Sequence, residues 1–458
     1  MRYVSTRGRA PELGFADALL AGLAVDGGLY VPVEWPLLPP PADLDAASGY
    51  AEVAHRVIAP FVGDDIEPAA LAAMCADAYA TFRHPAVVPL VQIADRQWLA
   101  ELFHGPTLAF KDVALQLVGR LFDHVLGARG ERVTIIGATS GDTGSAAIEA
   151  MRGCAHIDIV MLYPHGGPSD VQRRQMTTVD EPNVRAVAVA GTFDDCQDLV
   201  KAMFVEAEFR ERLRLSAVNS INWGRVMAQV VYYVTTASAL ACPPVFSVPT
   251  GNFGNVLSGW VARQMGLPIA GLAIATNTND ILARFFTDND MSVRQVVPTF
   301  SPSMDIQISS NFERLLFEMN GRDGGMTAEQ LTRLRVTGQL AVEPDQRAAF
   351  LHGVFRATSV DDDATLEEIR RLHVTTGVLV DPHTATASAA ARLGLFEGPT
   401  ITLATAHPAK FPDAVALATG VRPPVPPALA SFDGKPERVE LAPNDLAAVM
   451  AVVERAAR

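Results

Sequence analysis

Cysteine is scarce in this chain, and the four residues present, Cys75, Cys154, Cys196 and Cys242, lie far apart without a C-x-x-C pair. That excludes a disulfide framework and a thiolate zinc site, and it fits a reducing, cytoplasmic setting. Basic charge is also in short supply. Lys and Arg number 37 against 51 Asp and Glu, for a formal net charge of −14. Nucleic acid and anionic membranes need a basic footprint, so neither is expected as a partner, although a local basic pocket for a small phosphate ester stays open. The opening MRYVSTRGRAPELGF lacks the apolar core of a signal peptide. One long stretch, residues 226–262, carries no charge, but Pro243-Pro244 and the glycines from Gly251 onward break it. A membrane span needs about 20 unbroken apolar residues, so this stretch reads as a buried helix, strand and loop. The ten histidines form no H-E-x-x-H or other paired ligand spacing, so no metal site is expected.

With 458 residues, 49% of them hydrophobic and 19% charged, the chain can bury more than one large core, and two or three domains are expected. Residues 1–90 predict a mainly helical unit. FADALLAGLA and YAEVAHRVIAPFV carry apolar positions at helical spacing on either side of the proline-rich EWPLLPPPADL. From about residue 97, short apolar runs such as WLAELF, VTIIGA, IDIVMLYP, VRAVAVAG, VFSVPT and IAGLAIAT alternate with amphipathic helical segments. Alternation with continuous apolar strands predicts an α/β fold with mainly parallel sheets. Residues 288–345 are less regular. The alternation resumes with the helix ATLEEIRRLHVTTG, the run VLVDPHT, the helix TATASAAARLG and the strand TITLATA, and NDLAAVMAVVERAAR closes the chain as a helix.

Four clusters sit at strand ends, where open α/β sheets bind ligands. In FHGPTLAFKD, Lys111 follows a Gly-Pro turn and opens an apolar helix. The helix dipole and the neighbouring Phe103 and Phe110 disfavour its ammonium form, and a neutral amine is what attack on a carbonyl carbon needs. By position alone, a solvated surface lysine is the simpler reading. GATSGDTGS, residues 137–145, joins a strand to a helix start and offers backbone N–H groups with the Ser140 and Thr143 hydroxyls as an anion cradle. A tight strand-to-helix turn explains it equally well. The Gly-Lys-Ser/Thr ending of a P-loop and the spacing of a dinucleotide fingerprint are both missing. PTGNFGN, residues 249–255, has the same strand-to-helix setting, and two such cradles suggest two anionic groups. LATAHPAKFPDAV brings Thr405, His407 and Lys410 to the same sheet edge, though a His-Pro turn is also a common helix-start device. His383 in DPHT reads as a satisfied loop histidine, and residues 361–363 as a solvated helix cap. No G-x-S-x-G nucleophile elbow occurs.

Taken together and in order, HGPTLAFKD, SGDTG, NSINWGR, PTGNFGN and TAHPAKF, preceded by MRYVSTRG and VDGGLYVP, resemble the threonine synthase family over almost the whole chain. The resemblance implies the tryptophan-synthase-β-like architecture, pyridoxal-phosphate fold type II. It has two parallel-sheet α/β domains, a large one of residues 91–130 and 210–435 and a small one of 131–209. Beside them stand a mainly helical domain of 1–90 and a C-terminal helix at 436–458. Lys111 matches the lysine that holds pyridoxal 5'-phosphate. Gly251, Asn252, Phe253, Gly254 and Asn255 match the loop around the cofactor phosphate, and Thr405 matches the hydroxyl facing the pyridine nitrogen. Asp142 stands where relatives often carry Asn near the ring 3-hydroxyl, so it must accept the phenolic proton or be protonated itself. Ser140, Gly141 and Thr143 match the loop that engages the amino-acid part of the substrate. Asn219, Ser220 and Arg225 match positions that grip its phosphate, with Lys410 a further candidate. The implied reaction converts O-phospho-L-homoserine and water to L-threonine and phosphate, the last step of threonine biosynthesis, by a monomer or homodimer. The rival readings are a lyase on the same scaffold releasing 2-oxobutyrate, a non-catalytic cofactor-binding paralogue and, more distantly, a dehydrogenase, which lacks its nucleotide fingerprint.

Overall fold

A computed structural model describes residues 1–40, 44, 49–217 and 219–458. Two mainly parallel sheets organise the chain. In the larger, Phe355–Ser359, Gly271–Thr276, Val245–Pro249, Thr400–Ala404 and Gln97–Glu101 run parallel in that order, and Leu90–Ala94 closes one edge antiparallel. In the smaller, Val439–Pro443, Val184–Ala190, Ile157–Pro164, Val133–Ala138 and Leu215–Ser216 are all parallel. Every residue of Ile157–Pro164 is buried, as expected for an unbroken apolar run covered by helices on both faces.

The structure adds strands where the sequence pattern was silent. Leu13–Gly14, Arg2–Ser5 and Tyr30–Pro32 form an antiparallel sheet inside the mainly helical N-terminal region. They are too short for an alternation to register. Residues 436–458, expected as a helix alone, contribute the edge strand Val439–Pro443 before the helix Leu446–Ala456. The strand is mostly exposed, so its pattern is not apolar. The run VLVDPHT lies in no strand; Asp381 caps the helix Pro382–Arg392 instead. The irregular stretch holds the short helices Phe312–Met319, Gly324–Thr337 and Pro344–Leu351. Among the described residues, no helix is long and apolar enough to cross a membrane.

The charge-free helix Trp223–Ser238 is buried on nearly all sides. Trp223 packs its ring against Tyr3, Trp35 and Phe61, which locks the N-terminal region to the large sheet's helices. Lys111–Arg129, which neighbours this helix, also packs against Asp142–Met151 of the small sheet. The starts of these two helices carry Lys111 and Asp142. Their close approach depends on Gly119, where an added Cβ would lie 2.4 Å from the Ala150 carbonyl oxygen. Gly119→Ala is therefore expected to force the helices apart and cost about 1–3 kcal/mol of stability. Urea denaturation checks this, and an unchanged midpoint and slope would refute the close-approach argument.

Candidate active site

Lys111 is the first residue of its helix. The preceding turn is fixed against the end of the strand Thr400–Ala404: Phe110 N–H donates to the Thr405 carbonyl at 2.8 Å and His407 N–H to the Leu108 carbonyl at 3.1 Å. Leu108 sits at φ +62°, an uncommon left-handed conformation for a non-glycine residue. Asp112 braces the turn from behind, accepting from Thr107 N–H at 2.8 Å and the Thr107 hydroxyl at 2.7 Å. Burial pushes the Asp112 carboxyl up to about 6, against those two hydrogen bonds. The Lys111 side chain is nearly buried, with Nζ 5.0 Å from the Phe110 ring centroid. Burial lowers the affinity of its amine for a proton, Asp142 opposes this, and Lys410 and Arg225 lower it further. The sequence-based choice between a solvated lysine and a desolvated amine thus falls to the desolvated one.

Asp142 opens the helix Asp142–Met151 after Gly141, whose φ of +149° belongs to glycine. One carboxylate oxygen accepts from Lys410 Nζ at 2.7 Å and from Gln172 Nε2 at 2.9 Å, while the other lies 3.8 Å from Lys111 Nζ. Burial alone would favour the protonated acid, but the two ammonium groups outweigh it and hold the carboxyl well below the usual carboxylate range. Asp142 is therefore an ionised acceptor. Lys410, fully buried, spends its remaining contact on the Thr107 carbonyl at 2.9 Å. The expected cradle around residues 137–145 is narrower than its glycines suggested. The N–H groups of Gly141 and Gly144 both donate to the Thr139 hydroxyl at 2.9 Å. Ser140 is exposed and Thr143 half-buried at the helix start.

The loop from Gly251 to Asn255 behaves differently. No backbone N–H from Gly251 to Asn255 donates to another described residue. The carbonyls point the other way: Gly251 accepts from the Ser309 hydroxyl at 2.9 Å, and Asn252 from Asn311 N–H and Nδ2 at 3.1 Å each. Gly251 has no room for a side chain, since a Cβ would meet the Ser303 carbonyl at 2.6 Å. Phe253 takes φ +63° and anchors the turn by stacking on Phe286 and meeting Phe312 edge-on. Asn255 Oδ1 accepts from the Tyr232 and Tyr233 hydroxyls at 2.6 and 3.0 Å, which leaves its buried Nδ2 without an acceptor.

Arg225 has the same deficit in stronger form. Asn222 caps its helix, accepting from Gly224 N–H at 2.9 Å, so Arg225 falls in the first turn. Its side chain is buried, Nε and Nη1 have no partner among the described residues, and burial pushes the guanidinium down to about 10. Asn219 is exposed and turned back on its own loop, accepting from Ile221 N–H at 3.2 Å. Ser220 is half-buried, its carbonyl accepting from Asn311 Nδ2 at 3.0 Å. Thr405 is buried, and its hydroxyl makes no hydrogen bond with the described residues. His383 is the satisfied histidine expected. Nδ1 pairs with Asp381 at 2.7 Å and Nε2 accepts from Ser303 N–H at 3.2 Å, which holds the carbonyl that floors Gly251.

Sequence reasoning passed over Asn311, Arg314, Gln172 and the Thr107–Asp112 pair. Asn311 and Arg314 lie in the irregular stretch, with no periodicity or glycine motif to mark them. Arg314 is fully buried, donates to the carbonyls of Tyr30 and Ile221 and to the Asn311 side chain, and lies 5.6 Å from the Trp223 ring. Among the described residues, no cluster of His, Cys, Asp and Glu is placed to hold a metal ion.

These features fit pyridoxal phosphate: a buried primary amine for its aldehyde carbon, and a loop of undonated N–H groups with the Asn255 amide for its phosphate. The comparisons with known proteins agree. Residues 2–79 match the family described as threonine synthase N terminus, residues 88–343 the pyridoxal-phosphate-dependent enzymes, and residues 384–453 the C-terminal region of threonine synthase. A threonine synthase of Pseudomonas aeruginosa is 50% identical, the alignment covering 99% of this chain and 98% of that protein. One of Corynebacterium glutamicum is 44% identical over 98% and 97%. The crystal structure of pyridoxal-phosphate-bound threonine synthase from Brucella melitensis superposes with a TM-score of 0.97 at 50% identity, covering all of both chains. Yeast threonine synthase superposes with a TM-score of 0.94 at 37% identity, over 99% of this chain and 98% of that one. With similarity continuous from the first strand to the last helix, the chain belongs to the threonine synthase family of pyridoxal-phosphate-dependent enzymes.

Proposed function

We propose that this protein is a threonine synthase that converts O-phospho-L-homoserine and water to L-threonine and phosphate in the cytoplasm. The observation that carries the substrate assignment is Arg225, a buried guanidinium without an acceptor among the described residues, whose charge reaches Lys111. A guanidinium in that state needs an anion, and its fork matches a phosphate. When bound, pyridoxal phosphate supplies an electron sink for charge that develops on the substrate.

The chain's own residues do the rest. Gly251, Asn252, Phe253, Gly254 and Asn255 would hold the cofactor phosphate through N–H groups and the Asn255 amide. Thr405 would offer the ring nitrogen a neutral hydroxyl, and Asp142 would serve the 3-hydroxyl as an anion. Ser140, Gly141 and Thr143 would engage the amino-acid end of the substrate, and Arg225 with Ser220 its phosphate, while Asn219 would have to leave its own turn to join them. Lys111 Nζ would move the protons one at a time: the proton taken from Cα is handed on before one is taken from Cβ, and the latter is returned at Cγ after phosphate has left that carbon. Water then adds its oxygen at Cβ, and a proton returns to Cα. In this reading, residues 91–130 and 210–435 carry the cofactor. Residues 131–209 form the substrate-side unit, joined by the C-terminal strand and helix.

The direct test is product analysis. Purified protein supplied with O-phosphohomoserine should release threonine and inorganic phosphate in equal amounts, and accumulation of 2-oxobutyrate in place of threonine would overturn the reading. Lys111→Ala is expected to reduce turnover by roughly 10²–10⁴-fold or more, while near-normal turnover would show that another group moves the protons. Arg225→Met separates binding from structure. The buried, partnerless guanidinium costs the fold on the order of 3 kcal/mol while charged. The variant should thus melt at the same temperature or higher. Its kcat/KM for the phosphorylated substrate should fall roughly tenfold to a hundredfold, the loss of a charge-assisted hydrogen bond. A destabilised variant with unchanged kinetics would make Arg225 structural.

A further inference from the structure

We infer that Lys410 is a positioning residue: its ammonium, rather than that of Lys111, is the standing counter-ion of Asp142, and this leaves Lys111 as the nucleophilic amine of the site. The inference rests on the assignment of Lys111 as the cofactor lysine, and it replaces the sequence-based expectation that Lys410 contacts substrate.

The geometry is unequal. Lys410 Nζ lies 2.7 Å from Asp142 Oδ1, whereas Lys111 Nζ lies 3.8 Å from Oδ2, outside hydrogen-bond range. A second Lys410 proton goes to the Thr107 carbonyl at 2.9 Å, so two of its three donors are committed inside the protein. The side chain is 1% exposed. The Thr107 carbonyl is itself held, since Asp112 fixes Thr107 by its N–H and hydroxyl and Gln175 Nε2 donates to the same oxygen at 3.0 Å. Lys410 ends the one-turn helix Pro408–Lys410, its N–H donating to the His407 carbonyl at 3.0 Å. Composition points the same way. Of 37 basic residues only four are lysines, Lys111, Lys201, Lys410 and Lys435, and two of the four are buried on one carboxylate. A compact ammonium closes a single carboxylate oxygen, where a guanidinium fork would span both and reach the Lys111 side.

The charged groups facing Lys111 are Asp142 from the helix Asp142–Met151, Lys410 from the turn after the last strand of the large sheet, Arg225 from Trp223–Ser238 and Asp112 on its own helix. Asp142 and Asp112 favour a proton on Lys111, while Lys410 and Arg225 disfavour it, in addition to burial. Removing the Lys410 charge deletes one repulsion and frees the Asp142 oxygen to turn to Lys111. Both changes raise the pH at which Lys111 loses its proton.

The test reads that pH directly in cofactor-free protein. Trace labelling with isotopic acetic anhydride across a pH series, followed by peptide mass spectrometry, gives the reactivity midpoint of Lys111, with exposed Lys201 as internal reference. In the unaltered protein the Lys111 midpoint should lie below the ordinary lysine range. Lys410→Met should move it up by about one pH unit or more, the scale of an opposite charge newly paired at short range. Lys410→Arg should restore part of the difference. Should Lys410→Met fail to fold, Asp142→Asn carries the same argument with the opposite sign, because the two ammonium groups then repel and the Lys111 midpoint falls. An unchanged or lowered midpoint in folded Lys410→Met, or an unchanged or raised one in Asp142→Asn, would overturn the inference. Lost packing alone would lower stability without moving the midpoint in these directions. Borohydride reduction with pyridoxal phosphate present checks the underlying reading separately: the tag should fall on Lys111, and a tag on another lysine would defeat the cofactor assignment whatever Lys410 does.

Discussion

Lys410 and Lys111 are buried against the ionised carboxylate of Asp142, a third buried basic group, Arg225, lowers the affinity of Lys111 for a proton, and the rest of the site is arranged about those groups. A buried charge without a partner is expensive, and a fold tolerates it only where something else compensates. Here Lys410 closes on Asp142, Lys111 sheds its proton more readily, and Arg225 keeps its charge with unsatisfied N–H groups. Asp112, its oxygens committed to Thr107 and its carboxyl pushed up to about 6 by burial, still favours a proton on Lys111. This basic centre sits within a chain of net charge −14. The chain's overall acidity and its basic centre do not conflict, since whole-chain charge governs large polyanionic partners and a desolvated pocket governs small ones.

Parallel topology supplies the placement. Helices that follow parallel strands all start at the same sheet edge, so Lys111, Asp142 and the Gly251–Asn255 loop converge although they are far apart in sequence. Two sheets are needed because Lys111 begins a helix of the large sheet and Asp142 a helix of the small one. Gly119 lets those two helices approach closely along their length.

Much of this was legible in the sequence. The unbroken apolar runs became the buried strands, and the glycine-bearing segments became the strand-to-helix turns they were read as, because both signals are local. NSINWGR is half legible. Arg225 lies where its motif put it, but Asn219 serves its own turn and Asn222, passed over, caps the helix. The GATSGDTGS loop is half legible for a related reason. Its glycines mark conformational freedom, but which N–H groups remain available depends on where the Thr139 hydroxyl points. The edge strands Val439–Pro443 and Arg2–Ser5 left little trace, since an edge strand need not be apolar and a strand of four residues shows no period.

The least legible part is also the most connected. Asn311 sends one amide group to the carbonyls of both Ser220 and Asn252, and Arg314 holds that amide while donating to Ile221 and, across the domain, to Tyr30. Neither residue belongs to a glycine motif, and their helix is a single amphipathic piece of eight residues. Yet through them the loop with the free N–H groups, the turn that leads to Arg225 and the N-terminal sheet share one hydrogen-bond network. Glu313, between them in sequence, accepts from Thr6 and Arg7 and fastens the same helix to the first strand's end. A shift of either loop must therefore break or drag buried hydrogen bonds to the other, each costly to leave unmade. That stiffness explains how two distant parts of the chain keep donors unpaired among the described residues: in the Gly251–Asn255 loop the fold ties down carbonyls and leaves the N–H groups, and in the turn before Arg225 it ties down the backbone and leaves the guanidinium.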